Sequence, residues 1–233
     1  MRGARLWELF RERGAFGIVA YVVLRAAKQL EQRGPRARRF RRELARRDAN
    51  YDAANNVDTA GVLHLKKLSI AGSNRRFGTS YIATDPHEFA RAVAALPVIR
   101  QEDFTFIDLG SGKGRALLLA ADRQFRSVIG VEFASELHEI AQANLRNRPQ
   151  VRLYCADVVE FEFPPEPLIV FMYNPFGPEV MTKVARRLRD SHSLHPRPIF
   201  VLYLNPFYMA PWRAEGFRTV RTGDPFVILT PGA

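Results

Sequence analysis

The sequence predicts an α/β protein: a doubly wound, mostly parallel seven-stranded sheet with a terminal antiparallel strand, preceded by an α-helical N-terminal extension. Three observations support this fold class. From residue 104 onward, short apolar runs alternate with helical patterns, as in parallel strands that are covered on both faces. A glycine-rich turn follows the first apolar run. The last two runs are separated only by Thr222-Gly223-Asp224, a turn too short for a crossover helix, so these strands should pair antiparallel.

The first fifty residues are strongly basic. Met1–Asn50 holds fourteen Arg or Lys and five Asp or Glu, a net charge of +9 within the formal +11 of the chain. Its longest uncharged stretch, Gly14–Leu24, has about half of the ~20 apolar residues that a membrane-spanning helix needs. Glu8 and Glu12 precede this stretch, where a secretory signal would be positive. We therefore expect a helical hairpin or a long helix with a basic rim, and its apolar stripe should pack on its own protein. The stripe consists of Leu6, Phe10, Ile18, Tyr21 and Val22.

The composition divides the chain into three regions. Residues 1–50 form the basic helical extension, which includes a second, very polar helix at Arg36–Asp48. Residues 51–84, with several Gly, Asn, Asp and Ser, predict an irregular lid or substrate segment. Residues 85–233 form the main domain. It begins with Asp85-Pro86, an N-cap followed by proline at the first helical position.

The main domain contains seven apolar runs that we interpret as strands, and three longer amphipathic runs that we interpret as helices. The predicted strands are Phe104–Leu109, Ser127–Glu132, Val151–Cys155, Leu168–Tyr173, Ile199–Leu204, Phe217–Arg221 and Phe226–Leu229. The predicted helices lie near Gly114–Ala121, Ser135–Asn147 and Pro178–Asp190.

A ligand-binding turn is predicted at the end of the first strand. Asp108 is followed by Gly110, Gly112 and Gly114 at alternate positions. Only glycine lets the backbone turn this tightly and leaves room for a ligand against the main chain. Two kinds of phosphate-binding loop are excluded. Arg115 stands where the dinucleotide fingerprint has Gly or Ala, and the Gly-Lys-Ser/Thr of a Walker-type loop is absent.

Two further carboxylates follow the next strands. Glu132 ends the second predicted strand, eighteen residues after Gly114, where an acid can accept hydrogen bonds from both hydroxyls of a ribose. Asp157 follows the third strand and suits the amino group of an adenine ring. A solvated acid at a strand end is the alternative for Glu132. Because open α/β sheets bind ligands beyond the carboxyl ends of their strands, we expect these acids to share one site.

The ordered motifs Asp-Leu-Gly-Ser-Gly-Lys-Gly, Gly-Val-Glu and Ala-Asp resemble the signature of class I (seven-strand, Rossmann-like) S-adenosylmethionine (SAM)-dependent methyltransferases over about Tyr81–Leu229. This resemblance implies SAM as the cofactor. It also implies that Asp108 contacts the methionine moiety, that Glu132 binds ribose and that Asp157 binds adenine. The loop that passes the ligand is Gly110, Ser111, Gly112 and Gly114.

Two further segments carry weaker resemblances. Tyr173-Asn174-Pro175-Phe176 is similar to the Asn-Pro-Pro-Tyr/Phe element of amine-directed methyltransferases, in which the Asn carbonyl accepts a hydrogen bond from the target nitrogen. One proline of that element is missing, and a strand-end turn with Phe176 in the core is the alternative. The segment around Tyr81 and Thr84 resembles the corresponding segment of seven-strand protein-lysine methyltransferases, where Tyr and Thr close over the cofactor.

These residues predict a cytoplasmic methyltransferase that uses SAM and transfers its methyl group to a nucleophile, with Asn174 as the catalytic residue and also as a cofactor-binding residue. Nitrogen, on protein lysine or a small amine, is the expected acceptor. An RNA methyltransferase that uses the basic arm and a non-catalytic SAM-binding partner protein are the alternatives, and the arm also suits peripheral membrane contact. The single cysteine, Cys155, excludes an intramolecular disulfide and favours a reducing compartment. We expect no metal, because the histidines show no ligand spacing.

Overall fold

The structure is a computed structural model that describes residues 34–61, 63, 81–98 and 100–232. The apolar stripe predicted for the first 33 residues lies outside the described residues, as do residues 62 and 64–80 of the predicted irregular segment. The chain forms two compact units, Met1–Tyr51 and Asp52–Ala233. The sheet and the site described below belong to the second unit. In the part of the chain that the structure describes, no helix is long and apolar enough to span a membrane.

The predicted fold class is confirmed. Seven strands form one sheet in the order β3-β2-β1-β4-β5-β7-β6, and only β7 runs antiparallel to its neighbours. Four of the seven predicted strands have the observed bounds, and the other three differ by one or two residues. The strands are β1 Thr105–Leu109, β2 Ser127–Glu132, β3 Val151–Cys155, β4 Leu168–Tyr173, β5 Ile199–Leu204, β6 Phe217–Thr222 and β7 Phe226–Pro231.

The three predicted helices of the main domain are present with shifted ends. Two short helices, at residues 101–103 and 210–214, were not predicted. The α-helices are α1 Pro35–Asn55, α2 Pro86–Ala94, α3 Arg115–Ala121, α4 Ser135–Leu145, α5 Pro178–Leu194 and α6 Ala210–Ala214, and Gln101–Asp103 is a short 3₁₀-helix.

Helix α1 is longer than the sequence predicted. It extends past the expected end at Asp48 to Asn55, so the beginning of the predicted irregular segment is helical. No glycine or proline interrupts residues 48–55, which explains why the helix continues. It ends where Asn56 adopts a left-handed conformation with φ of 53°, and the N–H of Val57 donates to the carbonyl of Asp52.

The central strands of the sheet are buried on both faces, whereas the edge strands β3 and β6 are largely half-buried or exposed. One face packs its alternate residues, such as Phe106 and Phe171, against α2, α3 and α4. The opposite face packs residues such as Ile107 and Val170 against α5 and the fully buried Trp212 of α6. The strand order reverses between β1 and β4, where the carboxyl ends of two adjacent strands diverge into different connections. Open α/β sheets form their ligand crevice at this switch point.

Candidate functional site

A cavity of about 290 Å³ lies at the carboxyl ends of β1, β2, β4 and β5. Its walls come from the glycine-rich loop after β1, the ends of these strands, and the residues just before α2. Eight of the ten residues that the sequence singled out line it: Tyr81, Thr84, Asp108, Gly110, Ser111, Gly112, Glu132 and Asn174.

The other two predicted residues, Gly114 and Asp157, do not line this cavity. Gly114 is the N-cap of α3, with φ of 87°, and a Cβ there would lie 3.0 Å from Leu145 Cδ1. Gly114 therefore allows α3 to approach α4 closely. Asp157 is half-buried beyond the end of β3, and its Oδ1 accepts a hydrogen bond from the N–H of Val159 at 3.1 Å.

The glycine-rich loop is compressed between two other elements. Gly110 has φ of 83°, and a Cβ at this position would lie 2.6 Å from Pro175 Cβ. Gly112 has φ of 54°, and a Cβ there would lie 2.3 Å from Tyr81 Cδ2. Real Cβ atoms do not approach other atoms this closely, so both positions require glycine for its conformation and for its size. The loop is thereby held between the residues after β4 and the ring of Tyr81.

Glu132 joins the end of β2 to this loop. Its side chain is 4% exposed, with Oε2 accepting from the N–H of Gly112 at 2.8 Å and Oε1 accepting from the N–H of Ala134 at 2.9 Å. Burial raises the pKa of the Glu132 carboxyl, while these backbone hydrogen bonds oppose the rise. The carboxylate holds the loop in place, and because a carboxylate has about four acceptor sites it can still accept from a further donor.

Asp108 is buried without such compensation. Its side chain is 3% exposed at the end of β1, and no described residue donates a hydrogen bond to it. Burial, followed by the charge of Glu132, raises the pKa of Asp108 well above its usual range. Ser111 Oγ, also on the cavity wall, is buried and has no hydrogen-bond partner among the described residues. Buried polar groups of this kind mark places where a ligand completes the hydrogen bonding.

Two asparagines with nearly the same backbone conformation line the cavity after β4 and β5. Asn174 follows β4 with φ of 45°, and Asn205 follows β5 with φ of 48°; a proline comes next in both cases. The hydroxyl of Tyr203 donates to Asn174 Oδ1 at 3.0 Å, which fixes the orientation of this amide. Phe176 packs in the core at 5% exposure, as the turn interpretation predicts, and its ring also lines the cavity.

Sequence reasoning missed a polar cluster that attaches residues 52–60, here called the strap, to the glycine-rich loop. Arg115 donates from Nε to Thr59 Oγ1 at 2.6 Å and from Nη2 to Asp52 Oδ1 at 3.1 Å. Lys113 Nζ donates to Asp58 Oδ1 at 2.7 Å. The one signal in the sequence is Arg115 itself, a charged residue at the position where the dinucleotide fingerprint has Gly or Ala. Its partners lie more than fifty residues away, so no local pattern identifies them.

The strap also holds Tyr81. The Tyr81 hydroxyl donates to the carbonyl of Thr59 at 2.6 Å, and the main chain of Tyr81 pairs with Leu63 in an isolated antiparallel bridge. The ring that covers Gly112 is therefore fixed by the same segment that binds Arg115. Within the described ranges, no group of three or more His, Cys, Asp or Glu could hold a metal ion.

Comparison with known proteins identifies similar chains. Residues 106–191 match the family model described as "Methyltransferase domain". A histone-lysine N-methyltransferase of Dictyostelium discoideum, H3 lysine-79 specific, is 34% identical over 102 residues, which cover 36% of this chain and 5% of that protein. This chain thus spans only a small part of that relative's length. Similar solved structures include the 23S rRNA methyltransferase ErmE, at 18% identity with a TM-score of 0.46 over 64% of this chain and 68% of that chain. An RNA methyltransferase from Salinibacter ruber in complex with S-adenosyl-L-homocysteine has 20% identity and a TM-score of 0.46 over 64% and 92% of the two chains.

We predict that Asp108→Asn stabilises the ligand-free protein at neutral pH. Because the pKa of Asp108 is raised, the folded state binds this proton more tightly than the unfolded chain does. The stability that this carboxyl contributes is therefore fully present below its unfolded pKa of about 3.9, and it is lost as pH rises through the folded-state pKa. Asparagine carries no charge, so the variant should melt at a higher temperature than the wild type at pH 7. The difference should shrink toward pH 4.

Asp157→Asn is the matched control for this measurement. Asparagine keeps the Oδ1 acceptor for the N–H of Val159, so stability should change by no more than about 0.5 kcal/mol. Thermal denaturation followed by circular dichroism between pH 4 and 8 measures both variants. An Asp108→Asn variant that melts at or below the wild-type temperature throughout this range would contradict the burial argument.

Proposed function

We propose that this chain is a class I SAM-dependent methyltransferase and that it methylates a nitrogen, on a protein lysine side chain or a small amine. The observation that carries the proposal is the cavity itself. It combines a loop that only glycine can form, two buried carboxylates and the Asn174 amide at adjacent strand ends. SAM supplies a methyl group on a sulfonium that is already electrophilic, so the protein has mainly to align the reactants and exclude water.

The described residues fit this cofactor. The conformations of Gly110 and Gly112 keep the loop free of side chains where a ligand passes the main chain. Asp108 is a buried carboxylate that no described residue compensates, and it suits the cationic methionine part of SAM. Ser111 Oγ is a second buried polar atom on the same wall that a ligand can satisfy. We assign these residues to the methionine end of the site.

Glu132 is proposed to bind the ribose while it also holds the loop. Its two oxygens already accept backbone N–H groups, and their remaining lone pairs can accept the ribose hydroxyls. Tyr81 and Thr84 are proposed to close over the cofactor, since both line the cavity and Tyr81 lies against Gly112. Gly114 and Asp157 have roles at the edge of the site in this proposal: Gly114 allows α3 to start close to α4, and Asp157 faces the adenine end.

Asn174 is proposed to orient the acceptor amine. Asn174 lines the cavity at the end of β4, and its amide oxygen accepts a hydrogen bond from the Tyr203 hydroxyl, which holds this amide in one orientation. A target N–H that donates to Asn174 Oδ1 has its lone pair directed away from the asparagine, into the cavity. Lysine must lose a proton before it can react, whereas a neutral amine can react directly. The likeness to a histone-lysine methyltransferase over 102 residues supports nitrogen as the acceptor.

Incubation with methyl-labelled SAM tests the proposal. The purified full-length protein is given separate protein, RNA and small-molecule fractions of a cell lysate. We expect label in the protein or small-molecule fraction, recovered as an N-methylated amine after acid hydrolysis. Label in RNA that is lost steeply as salt rises would replace this proposal with the RNA alternative, in which the basic arm contacts phosphates. Calorimetric SAM binding without label in any fraction would support a non-catalytic SAM-binding protein.

We predict that Asn174→Gly slows the chemical step of methyl transfer by roughly tenfold to a thousandfold, because an acceptor-positioning contact is lost. Glycine is used because Asn174 has φ of 45°, where alanine would add backbone strain. SAM affinity should change by less than about threefold, since the polar contacts proposed for SAM are made by Asp108, Ser111 and Glu132 and not by the Asn174 side chain. Single-turnover transfer and calorimetric titration measure the two quantities.

Asn205→Gly is the matched control, because Asn205 has nearly the same φ and also precedes a proline. It removes the same side chain from nearly the same backbone conformation beside the same cavity, at a position to which the proposal assigns no contact with the amine. If both variants lose comparable thermal stability and turn over at similar rates, Asn174 is a turn residue and has no role in the reaction.

A further inference from the structure

The mouth of the cavity, meaning the part of its lining that is exposed to solvent, is apolar. Among the described residues that line the cavity, two are exposed, and both are large hydrophobic residues: Phe207 at 75% and Ile82 at 52%. The charged residues of the lining, Asp108, Arg115 and Glu132, are all buried. An acceptor that enters from solvent therefore meets apolar side chains of the lining before it meets the charged ones.

Exposed hydrophobic residues are few in this protein. Six large hydrophobic residues of the described ranges are exposed, and two of the six line this one cavity. Single exposed apolar side chains are ordinary on a protein surface, whereas apolar side chains that share one pocket indicate a place where a ligand binds. Leu194, the last residue of α5, is as exposed as Phe207, at 74%, but it does not line the cavity. It serves below as the reference for Phe207.

The backbone that carries Phe207 is fixed on both sides. The N–H of Asn205 donates to the carbonyl of Pro225 at 2.7 Å. The N–H of Tyr208 donates to the Tyr203 hydroxyl at 3.4 Å. Tyr208 packs against the hydrophobic core, whereas Phe207 belongs to none of the core clusters that the described residues form. The loop is therefore anchored while the side chain of Phe207 is left to solvent.

The same anchoring connects Phe207 with the acceptor end of the site. The Tyr203 hydroxyl, which accepts from the N–H of Tyr208, donates to Asn174 Oδ1 at 3.0 Å. One hydroxyl thus contacts both the amide that is proposed to orient the amine and the residue next to Phe207. The cofactor and the reacting amine have to share a cavity of about 290 Å³. The rest of a larger acceptor therefore lies at the mouth, beside Phe207.

Ile82 is presented in a similar manner. The residue before it, Tyr81, donates from its hydroxyl to the strap, and the two residues after it, Ala83 and Thr84, are buried. Ile82 is thus the exposed residue of a segment that is otherwise packed.

We propose that Phe207, together with Ile82, selects the acceptor by binding the hydrocarbon stem that carries its amine; this inference rests on the proposed function and narrows it. The preferred acceptor is a primary amine at the end of an unbranched apolar stem, as in a lysine side chain, and not a short or polar amine. Asn174 orients the amine, and the stem extends from it past Phe207. Each methylene that is removed from water against these side chains stabilises the bound acceptor.

A series of n-alkylamines from ethylamine to n-hexylamine tests this inference. The amino group and its basicity stay nearly constant along the series while the stem lengthens. The value of kcat/KM for transfer from methyl-labelled SAM is measured at one pH with the full-length protein. The wild type should favour n-hexylamine over ethylamine by roughly tenfold to a hundredfold, which is about twofold to threefold for each added methylene.

Three variants separate stem binding from a structural role. Phe207→Ala should lower the preference for n-hexylamine by about threefold to tenfold, since the stem keeps only Ile82, while the rate with ethylamine changes little because its stem is too short to reach the mouth. Phe207→Leu, which keeps an apolar side chain, should retain most of the preference. Leu194→Ala, the matched control, removes an equally exposed apolar side chain outside the cavity and should keep the wild-type preference. Substitution of such exposed side chains should leave the fold intact.

A wild type that methylates all the amines at similar rates would overturn the inference, since stem length would not matter. The same holds if Phe207→Ala slows every amine equally and keeps the preference, because Phe207 would then act only on the structure. A Phe207→Leu variant that loses the preference as fully as Phe207→Ala would indicate that the ring stacks on a flat acceptor such as a nucleobase, and would also contradict it. These three results leave the proposed methylation of nitrogen intact. A wild type that binds SAM but methylates none of the amines removes both.

Discussion

Two carboxyl groups buried side by side at the ends of β1 and β2 are the constraint on which the rest of this site depends. Asp108 and Glu132 are both almost inaccessible to solvent. Burial, and then the charge of Glu132, make ionisation of Asp108 harder. Glu132 is compensated by two backbone N–H groups, one of them from the glycine-rich loop. No described residue compensates Asp108 in this way. A folded chain keeps such an uncompensated acid at a cost in stability, which a cationic ligand can offset.

The surrounding structure holds the glycine-rich loop, which lies beside these two acids, from two sides. On one side, the strap binds Lys113 and Arg115 and places Tyr81 over Gly112. On the other side, the residues after β4 press Pro175 against Gly110, and Tyr203 orients Asn174. A loop held on both sides cannot adjust much when a ligand binds, so its geometry is set in advance. Pre-organisation of this kind is how an enzyme aligns two reactants when the chemistry itself needs little help.

The sequence predicted most of the fold, and eight of the ten site residues that it indicated line the cavity. The strands were predictable because apolar runs between helical patterns define buried parallel strands locally, and β2, β3, β4 and β5 have the predicted bounds. The glycine-rich loop and Glu132 follow from local spacing. The strap could not be predicted, because Asp52 and Arg115 are 63 residues apart and meet only in the folded chain. The extension of α1 was missed for a related reason. Polar residues near Asp52 are typical of a loop, but here they continue the helix, and the Asp52 carboxylate accepts hydrogen bonds from Thr59 and Arg115.

Proton release on SAM binding tests the central claim, that the uncompensated carboxyl of Asp108 is kept for a cationic ligand. A bound cation favours the carboxylate, so SAM should lower the raised pKa of Asp108 and release a proton, and its affinity should rise with pH through the ligand-free pKa. Calorimetry in buffers of different ionisation enthalpy counts the protons released. The account predicts that the wild type releases more protons on binding SAM than Asp108→Asn does at the same pH, near that pKa. Equal proton release by the two proteins, with SAM bound by both, would contradict it.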